Sequence, residues 1–361
     1  MNIKAVRLQK LANKIFTAMG CNPNEANKIS EHLVDANLLG HDSHGIGMIP
    51  SYVRSFHSGI LFPNVRPSLV KDIGSILIFD GERGFGQSVA EYAMEKAIER
   101  CYQTGLTLVT IRNSGHMGRI GAYGEQSAKN GLISIHFVNV VDTTPSVAPH
   151  GGKEARFGTN PICMSMPRIS DLEPIILDFA TSRVAVGKIR VALNKKENLP
   201  EGWVIDHSGQ PSRNPRVMEQ HLSPNSKSNF PEGAVLPMGE HKGFGLSFFC
   251  EILAGIISGG NTIHPKNPRL GGIVNNMVTI LIDPKKLVNQ NTLNNELEDL
   301  ITYVQSSTMI KKDHMVLLPG DLELIRKRNR TSKGIEIDEE TYEQLIKAGE
   351  SLKILRHELT N

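Results

Sequence analysis

The sequence predicts an α/β protein in which helices pack on a mixed sheet and a helical domain stands at the amino terminus. Three observations lead to this prediction. Helical periodicity fills roughly the first 65 residues, strand-like runs alternate with helical stretches from residue 68, and helical patterning returns over 319–361. The alternation indicates a wound sheet with parallel neighbours, whereas the less regular later connections favour a mixed sheet.

Three helices are predicted before residue 68. The first ends near Gly20, and the second begins with Asn22 as its N-cap and runs to Gly40. The third follows Ser43, which we expect to be its N-cap, with His44 in the first turn. Their core-facing side chains are Leu8, Leu11, Ala12, Ile15, Ala26, Ile29, Leu33, Ala36, Ile49, Tyr52, Val53 and Phe56.

The strand candidates are short apolar runs between turn signals. Helices are predicted between them over 87–103 and 119–130, and the almost uniformly apolar stretch 244–260 is expected to form a buried helix. The predicted strands span 75–80, 106–111, 132–138, 161–166, 174–180 and 274–283.

The composition argues against several classes of protein. With 40 basic and 37 acidic residues, the chain lacks the excess of positive charge that a nucleic-acid or membrane-surface binder needs. Four widely spaced cysteines without a CxxC motif indicate reduced thiols rather than a disulfide framework. We find neither a secretory signal nor an apolar run of membrane-spanning length, so we expect a soluble cytoplasmic protein.

A histidine and a carboxylate from distant parts of the chain suggest a site that handles protons. Ser43 and His44 lie at the junction of two helical patterns, and the predicted strand 174–180 delivers Asp178 near its carboxyl end as a buried run. A helix N-terminus also attracts anions, so a substrate carboxylate would be favoured there. The simpler alternative is a capping serine followed by a surface histidine.

His41 and His44 also resemble a two-histidine metal pair. No third ligand follows at a spacing typical of zinc sites, so we expect no metal. A metal-dependent hydrolase that uses His41, His44 and Asp178 stays as an alternative function.

Two glycine-rich turns add candidates. The stretch 112–126 follows a strand and opens a helix, and its His116 and Arg119 are placed either on a cofactor and substrate wall or on a flexible turn. Lys242, in the stretch 239–245, could reach a phosphate or carboxylate as a point charge.

The stretch 84–90 resembles the glycine-rich fingerprint of dinucleotide-binding proteins. It carries Gly84 and Gly86, but Val89 takes the place of the third glycine, and the next strand ends without the acidic residue that would bind a ribose. We therefore interpret it as a tight turn.

The motifs HDSHG followed by Tyr52, RNSGHMG, FGTNP, LDFATS, EHKGFG and LPG occur in the order seen in the type 2 malate/L-lactate dehydrogenases. The chain resembles this family of NAD(P)-dependent oxidoreductases over nearly its whole length. GHDSHGIGMIPSYVRS, GRIG, RFGTNP and EHKG look most similar to the hydroxycarboxylate dehydrogenase B branch, which reduces 2-oxo acids such as 2-oxoglutarate and phenylpyruvate to 2-hydroxy acids.

The resemblance implies a sulfolactate dehydrogenase-like fold rather than a Rossmann domain: three layers, a mixed seven-stranded sheet and an additional helical domain, assembled as a homodimer. We assign 1–67 to the helical domain, completed by helices from 238–262 and 319–361, and 68–318 to the mixed-sheet NAD(P)-binding domain.

The resemblance also implies residue roles. His44 would be the catalytic acid/base, oriented by Asp178 with Ser43 beside it, and His116 is the other candidate for that role. Thr159 would lie near the substrate. The implied cofactor contacts are His44, Gly118, Arg119, Ile120, Ile176, Leu177, Asp178, Phe179, Ala180, Leu236, Gly320, Asp321, Leu322 and Glu323.

One position departs from the family pattern. Many members carry arginine four residues after the histidine, where it grips the substrate carboxylate, and this chain has Met48. Methionine cannot form the charge-assisted fork that a carboxylate prefers. We therefore hypothesise that Arg119, with Lys242, supplies the cation, and that Met48 leaves an apolar patch for a larger substrate.

The predicted reaction is hydride transfer from NADH or NADPH to the C2 carbonyl of a 2-oxo acid, with His44 giving the alkoxide its proton. The sequence does not decide between NAD and NADP. The alternatives within the family are malate, L-lactate, ureidoglycolate or cyclic-imine carboxylate enzymes, and outside it a catalytically idle scaffold.

Overall fold

The computed structural model describes residues 1–168, 172–222, 230–311 and 315–360. The amino-terminal and carboxyl-terminal parts of the chain are helical, as predicted. The helices are α1 (Ala5–Ala18), α2 (Pro23–Leu38), α3 (Ile49–His57), α4 (Gly86–Thr104), α5 (Gly121–Lys129), α6 (Val186–Lys195), α7 (Glu219–Leu222), α8 (His241–Cys250), α9 (Gln290–Gln305), α10 (Asp321–Lys333), α11 (Glu339–Ser351) and α12 (Arg356–Thr360).

In the described residues, the strands form one large sheet and two small ones. The large sheet has seven strands in the order β2-β3-β4-β11-β5-β6-β7, and β1 pairs with β12 while β10, β8 and β9 form a three-stranded sheet. The strands are β1 (Asn2–Ile3), β2 (Ser68–Ile73), β3 (Ile76–Asp80), β4 (Leu106–Gly115), β5 (Ile133–Val141), β6 (Pro161–Met166), β7 (Ile175–Ala180), β8 (Val204–Ile205), β9 (Pro211–Ser212), β10 (Ala234–Val235), β11 (Val274–Ile282) and β12 (Ile335–Glu336).

The large sheet is mixed, which confirms the fold prediction. Only β3 and β4 pair in parallel, across the crossover through α4, while the other neighbours in this sheet run antiparallel. The alternation of strands and helices had indicated more parallel pairs. That expectation is wrong because β11, which comes late in the chain, inserts between β4 and β5 and runs antiparallel to both.

Helices cover both faces of the sheet. Val138 and Asn139 are neighbours on β5 and therefore point to opposite faces. Val138 packs into the apolar cluster that the sheet shares with α4 and α5, whereas Asn139 donates a 3.2 Å hydrogen bond to Glu251, in the π-helical continuation of α8 over Glu251–Ile257. The sheet is thus the middle of the three predicted layers.

The helical part has a core of its own. The predicted apolar faces of α1, α2 and α3 are buried together with side chains of α11 and α12, including Leu345 and Leu359. Asn22 caps α2 as predicted, because its side-chain oxygen accepts a 2.9 Å hydrogen bond from the amide of Glu25. This core fixes the direction from which the 40–53 stretch approaches the sheet.

The apolar stretch 244–260 is helical but only partly buried. Half or more of Phe248, Phe249, Ile256 and Ile257 is exposed. Contrary to our assignment, the segment from 238 to 262 packs on β5 and β11 of the sheet and does not enter the core of the helical domain. Uniform apolarity in a sequence does not reveal how much of a helix surface the rest of the chain covers. Within the described ranges, no helix combines the length and apolarity needed to cross a bilayer.

Candidate active site

Ser43 and His44 lie in a 3-10 turn, Asp42–His44, rather than at the start of α3. A second 3-10 turn, Ile46–Met48, separates them from α3, and Ser43 makes no capping hydrogen bond to that helix. The predicted N-cap is therefore wrong. Pro50 lies in the first turn of α3, a position that suits its fixed φ angle and missing amide, so the helix starts later than predicted.

Asn37, at the end of α2, anchors this turn. Its buried side-chain oxygen accepts a 2.9 Å hydrogen bond from the amide of Ile46, and its nitrogen donates a 2.7 Å bond to Asp42. The approach is so close that a Cβ on Gly45 would lie 2.1 Å from the Asn37 oxygen. Both carboxylate oxygens of Asp42 also accept hydrogen bonds from the two terminal nitrogens of Arg330.

The His44 ring stacks on His116, with centroids 5.5 Å apart and planes at 23°. Its Nδ1 lies 2.8 Å from the Ser43 hydroxyl oxygen. Ser43 in turn rests on Gly187, where a Cβ would approach that of Ser43 to 2.5 Å. The structure thus brings together three predicted site residues from two distant segments.

Tyr52 and Gln87 orient His116, although sequence reasoning assigned neither to the site. The Tyr52 hydroxyl lies 2.6 Å from Nδ1 of His116 and accepts a 2.9 Å hydrogen bond from Nε2 of Gln87. Gly86 packs directly against the loop that carries His116, because a Cβ at this position would lie 2.3 Å from the carbonyl oxygen of Gly115. The fingerprint-like stretch 84–90 therefore positions a histidine.

The surroundings favour the neutral forms of both rings. Burial lowers the pKa of His44 to about 4, with the nearby His41 acting in the same direction and the Asp178 carboxylate opposing it. Burial also holds the pKa of His116 well below its usual value, followed by the effects of His44 and His32. A bound anion would raise both pKa values.

Asp178 acts on His44 through its charge. Its Oδ2 accepts a 2.7 Å hydrogen bond from the amide of Gly121 at the start of α5, and no hydrogen bond joins it to His44 in the part of the chain that the structure describes. Asp178 lies on β7, the edge strand of the sheet, so this strand is half-buried rather than buried as predicted. The predicted orientation of His44 by Asp178 stays a prediction.

Comparison with known proteins assigns the chain to a family. The family model described as malate/L-lactate dehydrogenase matches residues 3–346. The chain belongs to the malate/L-lactate dehydrogenase family. It is 42% identical to hydroxycarboxylate dehydrogenase B of Escherichia coli strain K12 over 350 residues, which are 96% of this chain and 93% of the relative.

Solved structures agree with this assignment to the malate/L-lactate dehydrogenases. A proposed malate/lactate dehydrogenase from E. coli has a TM-score of 0.92 and 40% identity, with 100% of this chain and 98% of that chain covered. Sulfolactate dehydrogenase from Methanocaldococcus jannaschii has a TM-score of 0.82 and 30% identity, with both chains fully covered. The fold is therefore the predicted one, and the protein is an oxidoreductase of a family that acts on hydroxy acids with a nicotinamide cofactor.

A cavity beside Asp178 gathers residues that the resemblance to this family assigned to the cofactor. Gly320 has φ +100°, and α10 begins directly after it, so the amino-terminal end of that helix lies at the cavity. Asp321 caps its own turn by accepting a 2.8 Å hydrogen bond from the amide of Leu318. The cavity is lined by Leu39, His41, Arg119, Glu125, Glu173, Pro174, Ile176, Asp178, Gly320, Glu323 and Leu324.

The other residues expected to contact the cofactor are not among those that line this cavity. Ile120 is buried in the core of the sheet, and Gly118 packs so closely on His32 that a Cβ would lie 2.3 Å from its Nε2. Leu177 and Leu322 are about 40% exposed. Phe179 and Ala180 are half-buried on β7, and Leu236 is held by backbone hydrogen bonds to Trp203 and Arg183.

Arg119 is already paired with carboxylates. Its side chain is 3% exposed and lies 2.6 Å from Glu125 and 3.6 Å from Asp35. Its backbone amide donates a 2.9 Å hydrogen bond to Nε2 of His32. A guanidinium neutralised by two carboxylates has little charge left for a substrate, which weighs against the role that we gave Arg119.

The remaining substrate candidates lie outside this cluster. Lys242 is exposed, and no hydrogen bond or ion pair within the described residues joins its side chain to His44 or His116. Met48 is half-buried against the helical core. The Thr159 carbonyl accepts 3.0 Å hydrogen bonds from the amide and hydroxyl of Thr181. In the described ranges, no three His, Cys, Asp or Glu side chains are grouped to hold a metal ion.

Proposed function

We propose that this protein interconverts 2-oxo acids, of the 2-oxoglutarate or phenylpyruvate type, and 2-hydroxy acids with NADH or NADPH. The observation that supports this most strongly is the stacked pair His44 and His116, whose Nδ1 atoms are held by Ser43 and Tyr52. Two imidazoles whose orientation is fixed at one nitrogen keep the other nitrogen for proton exchange.

The residues that line the cavity beside Asp178 suit the ring and ribose parts of a nicotinamide dinucleotide. Apolar walls from Ile176 and Leu324 suit flat rings, while the carboxylates of Asp178 and Glu323 can accept hydrogen bonds from ribose hydroxyls. The amino-terminal end of α10 suits phosphate oxygens. When bound, the reduced nicotinamide supplies the hydride. Arg119 enters the proposal on this cofactor side, because it lines the same cavity.

In the proposed mechanism, His44 exchanges the proton. During reduction its imidazolium gives a proton from Nε2 to the developing alkoxide, and Ser43 holds Nδ1. During oxidation neutral His44 takes the hydroxyl proton back. The Asp178 carboxylate stabilises the imidazolium by its charge, and bound anionic substrate adds to this effect.

His116 is the second candidate for this role. It lines a separate small cavity with Tyr52, Ser51, Ser55 and Arg83. The discriminating experiment compares His44→Ala with His116→Ala in steady-state kinetics and in NADH binding by fluorescence. We expect His44→Ala to lose about 100- to 10,000-fold in kcat while NADH binding changes little. Near-normal turnover of that variant would transfer the role to His116.

A substrate panel tests the function itself. Oxidation of NADH and NADPH is followed with oxo acids that include 2-oxoglutarate, phenylpyruvate, oxaloacetate, pyruvate, and a cyclic imine carboxylate, and ureidoglycolate is tested in the oxidative direction. The expected result is rapid reduction of 2-oxo acids with one of the two cofactors. Chelator-sensitive hydrolysis without nicotinamide turnover would instead support the hydrolase alternative.

We also propose a cytoplasmic homodimer. The exposed apolar face of α8 and its π-helical continuation, with Phe248, Phe249, Ile256 and Ile257, supports an interface between copies. The four buried cysteines, none of which is in a disulfide, support a reducing compartment. Light scattering during gel filtration should give twice the chain mass, and a monomer would contradict the dimer.

A further inference from the structure

A second cavity, polar and rich in arginine, adjoins the one that His116 lines. The two cavities share Arg83 and Val274, so they lie next to each other. The charged side chains that line this second cavity are Asp80, Arg83, Arg112, Asp142 and Arg269.

The cavity carries one positive charge more than its carboxylates balance. Arg83 lies 2.9 Å from Asp142, and Arg112 lies 2.9 Å from Asp80. Arg269 forms no ion pair within the described residues, and its Nη2 donates a 2.7 Å hydrogen bond to the carbonyl oxygen of Ile263. An exposed guanidinium at the mouth of a polar cavity is suited to an anion.

Buried Asp142 links Arg83 to the segment that carries Arg269. One of its carboxylate oxygens accepts from Arg83, and the other accepts from the backbone amide of Leu270. The side chain thereby fixes the segment that carries Arg269 beside Arg83. The charges are thus held in place by hydrogen bonds rather than scattered on a flexible surface.

The backbone around the cavity is strained. Arg83, Asn113 and Asp142, which all line it, have φ angles of 56°, 54° and 64°. Such left-handed conformations cost free energy in residues other than glycine and concentrate at functional sites. Asn113 is fixed there by Asn276, whose side-chain oxygen accepts a 2.8 Å hydrogen bond from its amide.

We propose that this cavity binds the distal carboxylate of a dicarboxylic 2-oxo acid, with Arg269 as the cation, while the reacting carbonyl lies at the two histidines. The inference rests on the proposed function and narrows its substrate class. Arginine forms charge-assisted, often bidentate hydrogen bonds with carboxylates, and an uncharged chain or aromatic ring in the same cavity would leave the guanidinium of Arg269 without a counter-charge. It also places the substrate cation where sequence reasoning did not, away from Arg119 and Lys242.

Arg269→Gln tests this proposal, because the side chain is exposed and its loss should not impair folding. The matched control is Arg328→Gln, which removes the same charge from an exposed position of α10. Each variant is assayed with 2-oxoglutarate and with 2-oxopentanoate, which has the same chain length without the second carboxylate. We expect Arg269→Gln to lose about 10- to 100-fold in kcat/KM for 2-oxoglutarate alone.

A binding measurement separates this inference from the proposed function. Glutarate, which cannot be reduced, should raise the Tm of the wild-type protein and of Arg328→Gln, but not of Arg269→Gln. If the wild type reduces neither oxo acid yet keeps this Arg269-dependent shift, the proposed reaction fails and the ligand class stands. If Arg269→Gln changes neither the substrate preference nor the glutarate shift, the inference is overturned.

Discussion

The direction of the hydrogen bonds at His116 favours one tautomer. Nε2 of Gln87 donates to the Tyr52 oxygen, so the hydroxyl hydrogen of Tyr52 points to Nδ1 of His116. The proton of the neutral imidazole then sits on Nε2. The side-chain oxygen of Gln87 is buried without a partner among the described residues, and rotation of the amide would let it accept from Tyr52 when His116 is protonated. Gln87 can therefore serve both charge states.

Tyr52→Phe should disturb this arrangement. The change leaves a buried donor on Gln87 and a buried acceptor on His116 without their partner, so we expect about 1–3 kcal/mol of lost stability and a lower kcat with an altered pH profile. Tyr123→Phe is the control, because it removes a comparable buried hydroxyl that donates 2.6 Å to the carbonyl of Met117. A pH profile unchanged in both variants would show that Tyr52 only supports the fold.

The low pKa of His44 predicts the pH range in which hydroxy-acid oxidation becomes slow in acid. A base must be neutral, and burial lowers the pKa of His44 to about 4, so it stays neutral well below its ordinary value of 6.5. The acid limb of kcat/KM for hydroxy-acid oxidation should therefore lie below pH 6.5, since kcat/KM reports the free enzyme. Measurement between pH 5 and pH 8 checks this. A limb centred at or above pH 6.5 would contradict it.

Residue chemistry alone led to part of the site. His44 and Asp178 stood out because an imidazole and a carboxylate handle protons, and His116 stood out in a glycine-rich turn; the structure brings the two histidines into contact. Tyr52 was assigned correctly to the buried face of α3, which hides its second role. The hydrogen bonds of Gln87 are tertiary, so no local pattern reveals them.

At the scale of elements, the start of α4 serves as a support for the active-site loop. Gly86 begins this helix, and a Cβ there would lie within 2.5 Å of backbone atoms of Gly115 and His116. Gly86→Ala must therefore push the loop away from the start of α4. Backbone atoms cannot yield as a flexible side chain can.

We expect Gly86→Ala to lower kcat by about 10-fold or more, because misplacement of a catalytic group by about 1 Å is costly. The matched control is Gly245→Ala in α8, where a Cβ would meet nothing within 4 Å. The control should keep full activity and the same or slightly higher stability. Steady-state kinetics and thermal unfolding of both variants make the comparison, and equal activity would remove the supporting role of Gly86.

Elements were predictable where local signals agree. The Asn22 cap and the apolar faces of α1, α2 and α3 are local, and the structure confirms them. The start of α3 was misplaced because Pro50 outweighed the capping tendency of Ser43. The position of β7 at the sheet edge and the exposure of α8 depend on distant partners, which periodicity does not encode.

At the scale of the whole molecule, several imidazoles are buried in their neutral form. Burial lowers the pKa of His32 and His136 to about 3 and that of His221 to about 4. His136 is fully buried on β5, between the hydroxyls of Ser134 and Thr279 at 2.8 Å each. These groups are spread over the molecule, so their titration acts on its global stability.

Acid should therefore unfold this protein early. Below pH 6.5 the histidines of the unfolded chain bind protons, while the buried histidines of the folded protein do not. Unfolding therefore takes up protons, and the free energy of unfolding decreases as the pH is lowered. His136 alone lowers it by about 2 kcal/mol between neutral pH and pH 5. Urea unfolding measured at pH 7, 6 and 5 should show a steadily lower midpoint, and His264→Gln, which removes an exposed imidazole, should keep the wild-type slope. A midpoint that stays constant down to pH 5 would mean that these rings are protonated in the folded protein.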